Sequence, residues 1–129
     1  MSGKYLLDTN IVIALFANES DVVGKIGNID EIFIPSIVIG ELYYGAEKSL
    51  RVKENCERIN EFSSDSSVLN CDKETAGYYG KIKNRLKKKG RPIPENDIWI
   101  AATAFQYNLT LITRDEHFKQ IEGLKIMML

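Results

Sequence analysis

A chain of 129 residues fits a single domain, and at this size about two thirds of the surface an unfolded chain exposes can be buried without disulfide or metal staples. Hydrophobic content of 44% and charged content of 27% exclude collagen-like, disordered and disulfide-scaffold classes, and no apolar run approaches the roughly 20 residues that span a bilayer. The net charge of −1 favours no class of partner, the opening MSGKYLLDTN predicts a strand rather than a signal peptide, and Cys56 and Cys71, outside any CxxC spacing, read as idle reduced thiols of a cytoplasmic protein.

Tyr5-Leu6-Leu7 is a short apolar run closing at Asp8, after which Ile11, Ile13, Ala14, Leu15 and Phe16 continue as a helix with Thr9 or Asn10 as its cap. A second helix is predicted over 21–27, followed by a strand at Ile32-Phe33-Ile34 that Pro35 stops. Ser36 is the expected cap of a helix reaching about Lys48, and Cys56, Ile59 and Phe62 share a helical face within 53–63. Val68-Leu69 reads as a strand. Residues 72–89 read as a long helix that turns Tyr79, Ile82 and Leu86 inward and gathers Lys81, Arg85 and Lys88 on another face, until Gly90 ends it. After Arg91-Pro92-Ile93-Pro94 a helix runs to about Tyr107, and its Ala101, Ala102 and Ala104 let it lie close on a sheet. A strand at 109–113, a short helix at 116–121 and a strand at 125–128 complete the chain. Strands separated by helices rather than hairpins predict a three-layer α/β/α sandwich around a parallel sheet of about five strands. No repeat or linker divides residues 1–129, so one domain is expected.

The segment 81–91, KIKNRLKKKGR, holds seven of the 17 basic residues and no acid, leaving ten bases against 18 acids elsewhere. A basic stripe beside an acidic body suits a phosphate backbone along one edge and cations at another, with Lys81, Arg85 and Lys88 as candidate RNA contacts. A solvated helix end with lysines at its favourable C-terminus explains the same stripe without a ligand.

Ligands of open parallel sheets gather beyond the carboxyl ends of strands, where Asp8 and Asp115 fall in this reading. Either acid alone is as readily a helix cap. Glu41 lies in an apolar helical stripe with Ile37, Val38 and Gly45, and Asp97 shares a face with Ala101 and Ala104; for Asp97 the helix dipole is a competing explanation. Four carboxylates gathered without a partner would repel one another, and a divalent cation resolves the conflict. Oxygen ligands suit Mg²⁺ or Mn²⁺ rather than Zn²⁺, and such an ion among acids implies phosphodiester hydrolysis.

These residues lie in segments that match a known family nearly end to end: LLDTNIVIALF, PSIVIGELYYGA around Glu41, and PENDIWIAATAFQYNLTLITRDEHF joining Asp97 to Asp115. The chain resembles a PIN domain, and within that family a VapC-like toxin of type II toxin–antitoxin modules. The resemblance implies strand order 3-2-1-4-5, metal and catalytic roles for Asp8, Glu41, Asp97 and Asp115, and an orienting part for Thr9, Asn10 and Thr113, with Thr113 counted among the catalytic residues. It also implies a metal-dependent endoribonuclease acting on RNA, tRNA and ribosomal RNA first, restrained by an antitoxin and assembled as a homodimer.

A PIN fold that has lost activity and only binds RNA or protein is the alternative, and intact acids at all four positions argue against it. A dehalogenase-like phosphatase needs a second acid where Asn10 stands, and no GxxxxGK[ST] loop is present. His117, the only histidine, is expected in a surface or capping role rather than as a general base. Trp99 is expected in the core, Tyr43, Tyr44, Tyr78 and Tyr79 in packing, and Arg114 against either phosphate or an acid.

Overall fold

Tyr5, Leu6 and Leu7 are all buried, which requires apolar cover on both faces of the strand that carries them and places it at the centre of a sheet. The computed structural model describes residues 3–129 and shows that arrangement. Strand β1 (Lys4–Leu7) lies between β2 (Glu31–Pro35) and β4 (Thr110–Thr113), with β3 (Ser67–Leu69) outside β2 and β5 (Ile126–Met128) outside β4. Every pairing is parallel, with Leu6 opposite Phe33 on one side and Leu111 on the other. The order β3-β2-β1-β4-β5 is the one the resemblance implied, and all five carboxyl ends lie on one rim. Six helices flank the sheet in a three-layer sandwich: α1 (Thr9–Phe16), α2 (Ser20–Gly27), α3 (Ser36–Glu47), α4 (Val52–Ser64), α5 (Lys73–Lys88) and α6 (Glu95–Gln106).

Helix α6 explains its own alanines. Ile100, Ala101, Ala102, Thr103 and Ala104 are all buried in succession, so the helix is covered around its circumference, and small side chains let its neighbours approach closely. Helix α5 packs along it and ends as expected: Gly90 adopts φ +66°, its N–H reaches Lys87 O, and Arg91 N–H reaches Leu86 O, the paired closure of a Schellman turn. Among the described residues, no helix is long and apolar enough to cross a membrane.

Several local expectations are corrected. Asp8 caps α1, ahead of Thr9 and Asn10, because its extended backbone lets a carboxylate oxygen accept from Thr9 N–H. Pro35 closes β2 as its last residue, and Ser36 begins α3 without capping it; proline's fixed φ passes directly from strand to helix. The segment after Asp115 is a 3₁₀ helix, Glu116–Gln120. Trp99 is only half-buried, stacked on Tyr79 with ring centroids 4.2 Å apart, and Tyr44 stands in solvent.

Candidate metal centre

Two strand ends and two helices bring the acids to the carboxyl rim. Asp8 continues the ladder past β1, its N–H donating to Ile112 O at 3.0 Å, and so is placed by the sheet before it caps α1. The residue is 4% exposed. One carboxylate oxygen accepts from Thr9 N–H at 2.9 Å, and the other from Thr113 Oγ1 at 2.6 Å. Thr113, the buried last residue of β4, also accepts from Asp115 N–H at 2.9 Å, so a single hydroxyl ties Asp8 to the loop that carries Asp115.

Glu41 projects from the middle of α3, and its Oε1 accepts from Thr9 Oγ1 at 2.8 Å. Asp97 stands in the first turn of α6. Asp115 caps the 3₁₀ helix by accepting from His117 N–H at 2.9 Å. Capping and a place at the rim are therefore not alternatives for Asp8 or Asp115: each has both, because a cap at a strand's carboxyl end faces the rim by construction.

Electrostatics record the crowding. The Asp97 carboxyl is pushed up to about 7, first by burial and then by the charges of Asp8, Asp115 and Glu41, with His117 pulling the other way. Asp8 is raised as well, chiefly by burial; its bonds from Thr113 and Thr9 hold it down, and Glu41 and Asp115 push it up. No Lys or Arg among the described residues makes an ion pair with any of the four acids. His117 is the one basic side chain that pairs with the set among the described residues, and oxygen donors of this kind fit a hard divalent cation.

His117 lies at the surface as expected, its side chain 55% exposed, and it also reaches the acids. Its Nδ1 lies 2.9 Å from Asp115 Oδ1 and 3.8 Å from Asp97 Oδ2, and Asp97, Asp115 and His117 each offer one ligand atom within 4.8 Å of the others. The signal available was its spacing two residues after an N-capping acid, which returns a side chain to the cap. Of the three residues expected to orient the carboxylates, Thr9 and Thr113 bond to them, whereas Asn10 Oδ1 accepts from Arg114 N–H at 3.3 Å and holds the β4 turn instead. Arg114 chooses an acid: its guanidinium pairs with Glu19 at 2.9 Å. Lys81, Arg85 and Lys88 lie exposed on α5.

Comparison with known proteins gives one picture. Residues 5–124 match the PIN domain family. Ribonuclease VapC2 of Haemophilus influenzae is 37% identical over 125 residues, covering 95% of each chain. The tRNA(fMet)-specific endonuclease VapC of Salmonella typhimurium is 34% identical over 126 residues, covering 95% of this chain and 96% of that one. Among solved structures, VapBC2 of Rickettsia felis bound to a promoter DNA fragment superposes with a TM-score of 0.88 at 31% identity, covering 100% of this chain and 99% of its own.

Proposed function

The chain belongs to the PIN-domain family, among relatives named VapC ribonucleases, and from that premise we propose an endoribonuclease in which Asp8, Glu41, Asp97 and Asp115 hold Mg²⁺ or Mn²⁺. The observation that carries this reading is the convergence of four carboxylates from separate elements, uncompensated by Lys or Arg, with Asp97 pushed up to about 7. A cation bound there supplies positive charge to the phosphodiester and makes the attacking water more acidic. The chain's own residues do the positioning. Thr113 fixes the rotamer of Asp8 and the backbone before Asp115, and Thr9 fixes Glu41. Thr113 thus acts through the acids, which would revise its expected catalytic part to a positioning one.

The RNA path we assign to the exposed face of α5, where Lys81, Arg85 and Lys88 recur at helical spacing and can neutralise phosphates. A relative named for tRNA(fMet) makes initiator tRNA the first substrate to try. Because structural neighbours are toxin–antitoxin complexes, an antitoxin is the expected partner. An apolar groove suits one of its segments: Ile13, Phe16, Leu42, Ala46 and Ile59 line it, Ile13 is 54% exposed, and Glu41 stands at its edge. A chain seated there reaches the acids. Homodimerisation, implied by the resemblance, is tested by light scattering.

The deciding experiment measures cleavage of tRNA with Mg²⁺, Mn²⁺ or EDTA, together with a map of RNA 5′ ends after brief expression of wild type and Asp8→Asn. Cleavage is expected to need the ion and to lose about a hundredfold or more in Asp8→Asn. Cleavage that persists in EDTA would remove the metal from the reading.

A further inference from the structure

Beside the acids lies an open cleft of about 600 Å³, whose lining includes Thr9, Gly40, Glu41, Tyr44 and Asn96. Thr9 and Glu41 belong to the carboxylate network, so the cleft and the acids form one surface. Asn96 faces it from the start of α6, one residue before Asp97.

Two lining residues, Tyr44 and Gly40, and Lys48 beside them stand exposed outside the buried core. Tyr44 lies three residues after Glu41 on the same side of α3, and the residue is 68% exposed, although a tyrosine ring offers large apolar area for burial. The Lys48 ammonium stands 4.6 Å from that ring's centroid, giving a cation on an aromatic plane. Gly40 sits inside α3, where glycine weakens a helix, yet a Cβ added there would meet nothing within 4 Å. Packing does not require the glycine; a side chain in its place would project into open space on the lining of the cleft.

We propose that the cleft seats a nucleotide flanking the scissile phosphate, with its base stacked on Tyr44, its phosphate near the Lys48 ammonium and its base edge or 2′-hydroxyl within reach of the Asn96 amide. The proposal rests on the ribonuclease reading of the acids. Stacking on an exposed ring suits a nuclease that must accept varied bases, because every base presents a π-face. A cation beside the ring answers the phosphate that each base brings with it.

The test reads binding rather than cleavage, so its outcome does not depend on whether the acids cut RNA. Fluorescence anisotropy follows a labelled single-stranded RNA of mixed sequence, and the same length carrying abasic riboses at its centre, on the Asp97→Asn protein. The base-bearing strand is expected to bind about tenfold tighter than the abasic one, the scale of one aromatic stack. Adding Tyr44→Ala should reduce that preference to within about twofold, whereas Tyr44→Phe should keep it. Gly40→Leu, which leaves the ring in place but fills the cleft, should lose the preference as Tyr44→Ala does. A tenfold preference surviving Tyr44→Ala would overturn the proposal. So would a change in molar mass on light scattering that accompanies its loss, because the cleft would then be a contact between two copies of the chain.

Discussion

The carboxyl rim and the outer face of α5 are opposite solutions to carrying charge. At the rim, acids that lie as far apart in sequence as Asp8 and Asp115 are brought together, partly buried and, among the described residues, with no Lys or Arg partner, so they work against one another. On α5, Lys81, Arg85 and Lys88 lie within eight consecutive residues on a solvated helix face, where like charges are cheap to hold. Charge that costs folding free energy needs a compensating gain elsewhere, whereas solvated charge does not. On the proposed reading, the rim is therefore where function would be retained at the expense of stability.

The largest expected difference between the two regions is in turnover. Asp97→Asn should cut RNA cleavage about a hundredfold or more, while Lys81→Ala/Arg85→Ala/Lys88→Ala should leave turnover at saturating RNA nearly intact and raise the RNA concentration required. Steady-state kinetics on one tRNA separates the two, and equal loss of turnover from both variants would erase the contrast.

Stability should show the next largest effect. The folded Asp97 carboxyl titrates near 7 and an unfolded one near 4, so between those values the folded protein holds a proton that the unfolded chain has released. Stability in EDTA should then fall as pH rises from about 4 to 7, by up to about 4 kcal/mol from Asp97, with Asp8 contributing in the same direction. Thermal melts at pH 5 and pH 8 check this. Asp97→Asn should flatten the dependence, and Mg²⁺ should restore stability at pH 8 more than at pH 5, because it binds the ionised folded site. Glu41→Gln, which keeps an oxygen to accept from Thr9, should be at least as stable as wild type in EDTA yet gain less from Mg²⁺. The α5 triple variant should leave the pH profile unchanged.

Salt dependence inverts the order of the two regions. If the three α5 cations neutralise phosphates, their removal should flatten the salt slope of single-stranded RNA binding by up to about two units, while Asp97→Asn leaves that slope alone. An unchanged slope in the triple variant would return α5 to a solvated helix face. The smallest effect is expected at His117, 55% exposed at the edge of the acids. His117→Ala removes the one group that lowers the Asp97 pKa, so the pH dependence of melting should move upward, with less than about tenfold change in cleavage. A hundredfold loss would place the imidazole in the chemistry.

The amino-acid sequence by itself determined the order of strands and helices, because periodicity, Gly90 and the prolines are local signals that each segment carries alone. It also marked all four acids as candidates, at strand ends and on apolar helical faces, although a cap or the helix dipole explains Asp8, Asp115 or Asp97 singly and it is the family resemblance that joins the four. It could not show who would answer whom. That Asp8 rather than Thr9 caps α1, that Thr113 and Thr9 donate to carboxylates while Asn10 holds the β4 turn, and that Arg114 turns to Glu19 were decided by side chains meeting across the rim. The same holds for His117 against Asp115 and for Tyr44 left standing in the cleft. Hydrogen bonds and charge repulsion act over a few ångströms, and only the register of β1 against β4 brings Asp8 within that distance of Thr113, 105 residues further along the chain.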